Sequence, residues 1–150
     1  MQKEYLSAIS FYEDAINANA SGADYALFQK AMIQGIQGNL NAKAATMQML
    51  LSRYSKSAYA DDAVFERGTA FLTLGDNRNA EMQFKQILTS YPQSVYVPKA
   101  KLNLALILFN ENKDEQALSA YKKVVTEHPG TAEAASALVS IKNIYVSQGN

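Results

Sequence analysis

Residues 58–94 contain the pattern that sets the architecture of this chain, and they read AYADDAVFERGTAFLTLGDNRNAEMQFKQILTSYPQS. Apolar residues recur in it at helical spacing from Ala63 to Leu72. Gly75 follows at the point where a helix must stop in a left-handed turn. A second helical stripe comes next, and Pro92 ends it. We interpret the stretch as a helix hairpin, a unit that cannot bury its apolar stripe alone.

The same pattern recurs along the chain with a period of 37 residues. A shift by this period superposes residues of like chemistry. The matching sets are Gly38, Gly75, Asn112 and Gly149; Ala26, Ala63, Ala100 and Ala137; Phe28, Phe65, Leu102 and Val139; and Met47, Phe84 and Tyr121. A period of this length indicates stacked supersecondary units with a shared core. We therefore predict an all-α protein of eight helices, near residues 3–19, 23–37, 40–54, 58–74, 77–91, 95–111, 114–127 and 132–148.

The residues at the predicted helix starts support this assignment. Ser57, Ser94 and Thr131 can accept hydrogen bonds from the unpartnered amides where the first helix of a repeat begins. Pro98 stands at one such start, where a missing N–H does no harm. Gly35 is an exception, because glycine inside a helix costs about 1 kcal/mol relative to alanine. Either a partner or a neighbouring helix comes close there, or the first repeat is imperfect; we favour the second explanation.

Within each repeat, small and large residues keep a fixed spacing. A small residue lies midway along the first helix, and a large one follows sixteen residues later; these pairs are Ala31 and Met47, Gly68 and Phe84, and Ala105 and Tyr121. Ala80 and Ala117 precede the large residue by four, and Pro92 and Pro129 follow it by eight. This spacing resembles the tetratricopeptide repeat. The first repeat departs from it, since Lys43 replaces the alanine and Ser55 replaces the proline.

The connector from Tyr91 to Pro98 is two or three residues longer than is usual in 34-residue tetratricopeptide repeats. Its Tyr-Pro-x-Ser pattern is similar to that of tetratricopeptide proteins of bacterial envelopes, such as the Tol-Pal coordinator and the outer-membrane assembly lipoprotein. That resemblance favours the periplasm or cell envelope over the cytoplasm.

The resemblance implies a right-handed superhelical array of antiparallel helix hairpins. The array would comprise the second half of a repeat at 3–19, full repeats at 21–57, 58–94 and 95–131, and the first half of a repeat at 132–150. Its concave face would present first-helix side chains to a partner protein. The residues that the resemblance places on or near that face are Tyr25, Phe28, Met32, Phe65, Thr69, Leu72, Lys99, Leu102, Leu106 and Phe109. Alternatively, the series Phe28, Phe65 and Leu102 seals the contact between neighbouring hairpins.

Composition excludes several other functions. The chain has 14 basic and 14 acidic residues and no cysteine. With zero net charge it lacks the basic face that nucleic acids require, so we do not expect a single-strand RNA reader. His128 is the only histidine, and a zinc site would need mostly carboxylates. No apolar run approaches the roughly 18 residues of a membrane span. We expect no catalytic residue, metal or cofactor.

Two interpretations of function follow. In the first, the chain is a non-catalytic scaffold that binds a protein or peptide segment on the concave face. In the second, it is a helical accessory domain of a larger envelope enzyme or transport assembly. The full-length reading frame would discriminate between them, because it contains either more repeats or a distinct catalytic domain.

Both ends of the sequence interrupt a predicted hairpin, so we expect a segment of a longer repeat protein. Such ends would expose apolar residues, including Tyr5, Phe11, Ile141, Ile144 and Tyr145, and could lead to self-association. A version extended by flanking repeats should unfold at higher urea concentration, since stability in repeat arrays grows with each new interface. An extended version with an unchanged midpoint would contradict this expectation.

Overall fold

Each of the predicted helices is present in the structure, a computed structural model that describes residues 1–149. The helices are α1 (Gln2–Asn17), α2 (Ala23–Ile36), α3 (Leu40–Arg53), α4 (Ala60–Thr73), α5 (Asn77–Ser90), α6 (Val97–Asn110), α7 (Asp114–Glu127) and α8 (Ala132–Ser147). Every predicted boundary lies within two residues of the observed one. Within the described residues all regular structure is helical, as predicted. Asn150, which ends the last predicted half-repeat, lies outside the described residues.

The chain divides into two compact halves, Met1–Gln83 and Phe84–Asn150. In the N-terminal half, α1 packs against α2, α2 against α3, and α3 against α4. In the C-terminal half, α7 packs against both α6 and α8, and α6 also touches α8. Since short turns join these neighbours, successive helices run antiparallel, as helix hairpins require.

Each half has its own core, and the small and large residues of the repeat lie in it. Ala31 and Met47 are both 0 % exposed and belong to the core of the N-terminal half. Ala105 (0 % exposed) and Tyr121 (3 % exposed) occupy the corresponding places in the C-terminal half. The predicted pairing of a small first-helix residue with a large second-helix residue is therefore confirmed in both halves.

The helix ends agree with the predicted turn chemistry. Gly38 and Asn112 have φ of 81° and 60°, the left-handed conformation that glycine and asparagine adopt most readily. Beyond α2, the amide of Asn39 donates to the carbonyl of Gln34 at 2.9 Å, which satisfies one of the last open carbonyls of the helix. Pro98 lies in the first turn of α6, as expected.

In two of the three repeats the predicted hydroxyl residue lies two residues before the N-cap rather than at it. Ser57 Oγ and Ser94 Oγ accept from the amides of Tyr59 and Tyr96, each at 3.1 Å. These tyrosines are the N-cap residues, so α4 and α6 begin two residues later than expected. Thr131 is itself the N-cap of α8, and its Oγ1 accepts from an amide at 3.1 Å.

Lys43, which replaces the usual alanine, is buried over Gly35. Its Nζ lies 2.5 Å from Glu66 Oε2 on α4, and only 9 % of the residue is exposed. A Cβ atom added at Gly35 would lie 2.8 Å from Lys43 Cδ. In the later repeats the position of Gly35 is held by Leu72 and Phe109. A neighbouring helix does come close at Gly35, so the interpretation of Gly35 as a simple imperfection is wrong. The space that a large side chain would occupy is filled by the lysine stem.

Arg67 on α4 adds polar contacts in the N-terminal half. Its Nε donates to the carbonyl of Ala44 on α3, and its Nη1 donates to Gln83 Oε1 on α5, both at 3.1 Å. The guanidinium also lies 5.2 Å from the centre of the Phe71 ring. Burial lowers the pKa of Arg67 from its ordinary value, but an arginine stays charged at neutral pH. One side chain thus connects three successive helices.

The exchange at Gly35 and Lys43 predicts energetic coupling between the two positions. Gly35→Leu should cost about 1–3 kcal/mol, because the new side chain displaces the lysine stem. Lys43→Ala should cost about 1–3 kcal/mol, because Glu66 loses its partner. The double variant restores the residue types of the second repeat, so its loss should be smaller than the sum by at least about 0.5 kcal/mol. Urea unfolding of the four proteins measures this coupling, and additive losses would contradict it.

Phe84 should be a main determinant of stability, because it is 0 % exposed. Phe84→Ala should lower the free energy of unfolding by about 3–5 kcal/mol through the cavity that it leaves. Met82→Ala on the same helix is the control; Met82 is 58 % exposed, and its replacement should change stability by less than about 0.5 kcal/mol. Equal midpoints for the two variants would mean that the register of α5 is wrong.

Candidate binding surfaces

Five aromatic residues form a continuous strip in the N-terminal half: Phe11, Tyr12, Tyr25, Phe28 and Tyr59. Ring centres are 5.8 Å apart for Phe11 and Tyr12, and 6.4 Å apart for Tyr12 and Tyr25. Tyr59 lies 5.6 Å from both Tyr25 and Phe28, and it stacks on Phe28. The strip thus spans α1, α2 and the residue that caps α4. We call it the aromatic strip.

A hydrogen-bonded turn places Tyr59 over α2. Ser57 Oγ donates to Asp24 Oδ2 at 2.5 Å, which ties the turn before α4 to the start of α2. The same oxygen accepts from the amide of Tyr59, so the backbone of Tyr59 is fixed. Tyr25 and Phe28 are three residues apart on α2 and therefore lie on the same side of that helix. The ring of Tyr59 meets both of them.

The strip combines exposed rings with rings that are held in place. Phe11 is 71 % exposed and Tyr25 is 44 % exposed. Tyr12, Phe28 and Tyr59 are half-buried and pack against the core of the N-terminal half. Aromatic pairs at these distances stabilise each other by about 0.5–1.5 kcal/mol beyond the burial of area. The exposed rings are therefore presented on a fixed base.

The other first-helix residues predicted to bind a partner differ in exposure. Met32 and Leu72 are half-buried, and Met32 packs against the core. Phe65 is only 9 % exposed. In the C-terminal half, Leu102 is half-buried and packs against the core, whereas Lys99 is exposed. The burial of Phe65 and Leu102 favours the alternative in which this series seals packing inside the protein.

A small groove separates α6 from α8 in the C-terminal half. It encloses about 110 Å³, and the residues that line it are Leu106, Phe109, Tyr121, Ser140, Asn143 and Ile144. Phe109 is 41 % exposed and forms part of the rim. Burial raises the pKa of the Tyr121 hydroxyl, although its hydrogen bond with Ser140 acts in the opposite direction. We call this site the α6–α8 groove. Its walls combine apolar side chains with the polar groups of Ser140 and Asn143.

Comparison with known proteins identifies the family. The profile of the tetratricopeptide repeat-like domain matches residues 5–138. The chain belongs to this family. No curated protein sequence matches the chain.

Several solved tetratricopeptide structures share the fold. A crystal structure of MamA superposes with a TM-score of 0.76 at 18 % identity, over 99 % of this chain and 75 % of that one. YrrB, described as a tetratricopeptide protein with an unusual peptide-binding site, gives a TM-score of 0.72 at 19 % identity, over 99 % and 71 %. The first tetratricopeptide domain of Spaghetti (RPAP3), bound to the HSP90 peptide SRMEEVD, gives 0.68 at 18 % identity, over 87 % and 97 %.

The sequence did not assign several residues of these surfaces to a binding site. Phe11 was predicted only to be exposed near an interrupted end, and it is. The corresponding prediction for Ile144 is wrong, because only 2 % of this residue is exposed. Phe11, Tyr12 and Tyr59 belong to the aromatic strip, and Ser140 and Asn143 line the α6–α8 groove. A signal existed for Tyr59, because the period of 37 places it in register with a second tyrosine at position 96. Asn143 likewise shares the register of Leu106, which was predicted to lie on or near the concave face.

The polar groups outside these surfaces include the single histidine of the sequence, His128. Within residues 1–149, no group of three or more histidine, cysteine or carboxylate side chains is arranged to hold a metal ion. His128 is the C-cap residue of α7, and its Nε2 lies 3.1 Å from Lys101 Nζ. No helix in the described part of the chain is both long and apolar enough to span a membrane.

Proposed function

We propose that this tetratricopeptide protein is a non-catalytic scaffold that binds a peptide segment of another protein. The observation that carries the proposal is the aromatic strip, in which Phe11 and Tyr25 stay exposed on a base of packed rings. Aromatic residues dominate the energy of many protein interfaces. The neighbouring rings already restrict the side chain of Tyr25. Binding of a partner would therefore cost little further side-chain entropy of Tyr25.

The proposed contact set consists of first-helix residues in each half: Tyr25, Phe28, Met32, Phe65, Leu72, Lys99, Leu102 and Phe109. Tyr25 and Phe109 are the aromatic members with substantial exposure, at 44 % and 41 %. They are therefore the residues that we expect to contribute most to binding. Phe65 would act mainly as support, because little of its surface is accessible.

The chemistry of the two surfaces favours an apolar partner segment. Charged residues make up 19 % of the chain, below the roughly 25 % of an average domain, and the net charge is zero. A partner would dock through hydrophobic side chains, as an amphipathic helix or an extended segment. Binding should persist at moderate salt, because few exposed charges contribute to it.

Two structural relatives support peptide binding as the mode of interaction. YrrB is described as having an unusual peptide-binding site, and the structure of the RPAP3 domain contains a bound HSP90 peptide. Their sequence identities of 19 % and 18 % establish a shared fold, so the shared mode of binding is part of our proposal.

The alternative of an accessory domain uses the same surfaces for contact with another part of a larger assembly. Exposed apolar residues on α8 favour an interaction of this kind, whether with such a domain or with a second copy. These residues are Leu138, Val139 and Val146, which are 54 %, 58 % and 64 % exposed.

Peptide selection followed by mutation tests the proposal. Peptides that bind the wild-type protein are selected from a displayed random library, and their dissociation constants are measured by fluorescence polarisation. Tyr25→Ala/Phe109→Ala should weaken binding by at least about tenfold, since aromatic hot spots contribute more than 1 kcal/mol each. The matched control is Met82→Ala/Val95→Ala, which removes two exposed apolar side chains (58 % and 82 % exposed) outside both surfaces.

Circular dichroism must first show that both double variants unfold near the wild-type temperature. Loss of binding in the first variant alone supports the proposal. Equal affinity of the two variants for every selected peptide would place the binding site elsewhere.

A further inference from the structure

A second groove lies between α5, α6 and α7 in the C-terminal half. It encloses about 310 Å³, and the residues that line it are Leu88, Lys101, Leu104, Ala120, Lys123 and Glu127. Successive helical residues are rotated by about 100°, so Leu104 lies about 160° around α6 from Leu106. The two grooves also share no lining residue. This groove is therefore distinct from the α6–α8 groove.

One end of the groove is cationic. Lys101 Nζ lies 2.7 Å from Glu127 Oε2 and 3.1 Å from His128 Nε2. An ammonium group has three N–H donors, so these two contacts leave one donor of Lys101 unused. Lys123 forms no ion pair with any residue in the described part of the chain. Two ammonium groups thus face one carboxylate, which leaves a net charge of one positive unit when His128 is neutral.

The charge on Glu127 is already engaged. Its hydrogen bond with Lys101, and then the charge of Lys101, lower the pKa of Glu127 below its usual value. The charge of Lys123 acts in the same direction. Glu127 is therefore ionised at neutral pH, and a positive potential remains beside it that an additional anion would neutralise.

The rest of the groove is apolar. Leu88 comes from α5, Leu104 from α6 and Ala120 from α7. The side chains of these three residues carry no hydrogen-bonding group. The volume corresponds to roughly ten water molecules at about 30 Å³ each, and it is at the lower end of the range for small-molecule sites. A ligand with about ten non-hydrogen atoms would fill it.

We propose that this groove binds a small carboxylic acid with a short apolar chain. The carboxylate lies between Lys101 and Lys123, and the chain packs against Leu88, Leu104 and Ala120. This site is independent of the peptide-binding surfaces proposed above, so either proposal can fail without the other.

The groove favours this ligand over two related ones. A phosphate group, with close to two negative charges, would exceed the single positive unit at the cationic end. The C-terminal residue of a protein would bring backbone amides into the apolar part, where Leu88, Leu104 and Ala120 offer their N–H groups no acceptor. Burying such an amide without a partner costs about 1–3 kcal/mol.

Titration with octanoate tests the inference. In heteronuclear NMR spectra, the amides of Leu88, Leu104, Ala120 and Lys123 should shift in a saturable manner. Lys123→Gln should weaken octanoate binding roughly twofold to fivefold, the range for one ion pair near the surface. Lys122→Gln is the matched control: it makes the same change of charge one residue away, and Lys122 Nζ instead contacts Tyr145 Oη at 2.9 Å. Its affinity for octanoate should equal that of the wild type.

Further ligands and one further variant identify what is recognised. Ala120→Leu should fill the groove and abolish saturable shifts, while its thermal midpoint shows that the fold is retained. Octanol and octylamine should bind more weakly than octanoate, because neither carries a carboxylate. Equal binding of octanol, or equal effects of Lys122→Gln and Lys123→Gln, would overturn the proposal. Binding of N-acetyl-glycyl-leucine without binding of octanoate would overturn it in favour of a protein C-terminus.

Discussion

Two helices of a hairpin exclude water from between them only if their backbones come close, and in this protein a small residue midway along the first helix makes that possible. Ala31 and Ala105 have no exposed surface, and the large residues sixteen positions later, Met47 and Tyr121, fill the adjoining core. A larger side chain at the small position would separate the helices, since packed interiors have no spare volume. The period of the sequence follows from this requirement, because every hairpin must meet it in the same register.

The first repeat meets the same requirement with different residues. At Gly35 and Lys43, volume has moved from the first helix to the second, and the lysine stem takes the place of a large apolar side chain. The ammonium group then needs a partner, because a buried charge without one is costly, and Glu66 on α4 supplies it. The exchange thus links the packing within one hairpin to the next helix. In the sequence pattern, Lys43 appears only as a departure from the repeat. Its contact with Gly35 shows that the changes at these two positions compensate each other.

The fold was predictable because its signals are local and repeated. The spacing of apolar residues predicted the helices, and residues such as Gly38 and Asn112 predicted where the helices end. The two-residue error at the start of α4 arose because a serine hydroxyl can bond an amide in a turn as well as in a cap. Of the candidate surfaces, the sequence indicated the first-helix residues, including Tyr25. It did not indicate that Tyr59 would meet Tyr25, since that contact depends on the hydrogen bond between Ser57, in the turn before α4, and Asp24 on α2.

The need for a small residue on the first helix of each hairpin also explains how one repeat array can carry surfaces of different chemistry. It fixes a few positions in each hairpin and leaves the others free, so residues in the same register can differ widely. Leu106 and Asn143 occupy equivalent places on α6 and α8, and together they give the α6–α8 groove both apolar and polar groups. On the opposite side of α6, Lys101 and Leu104 combine a charge with an apolar wall. Since these residues lie outside the small-to-large contact, substitutions on either side of α6 can change the chemistry of that surface without loosening the hairpin that carries both.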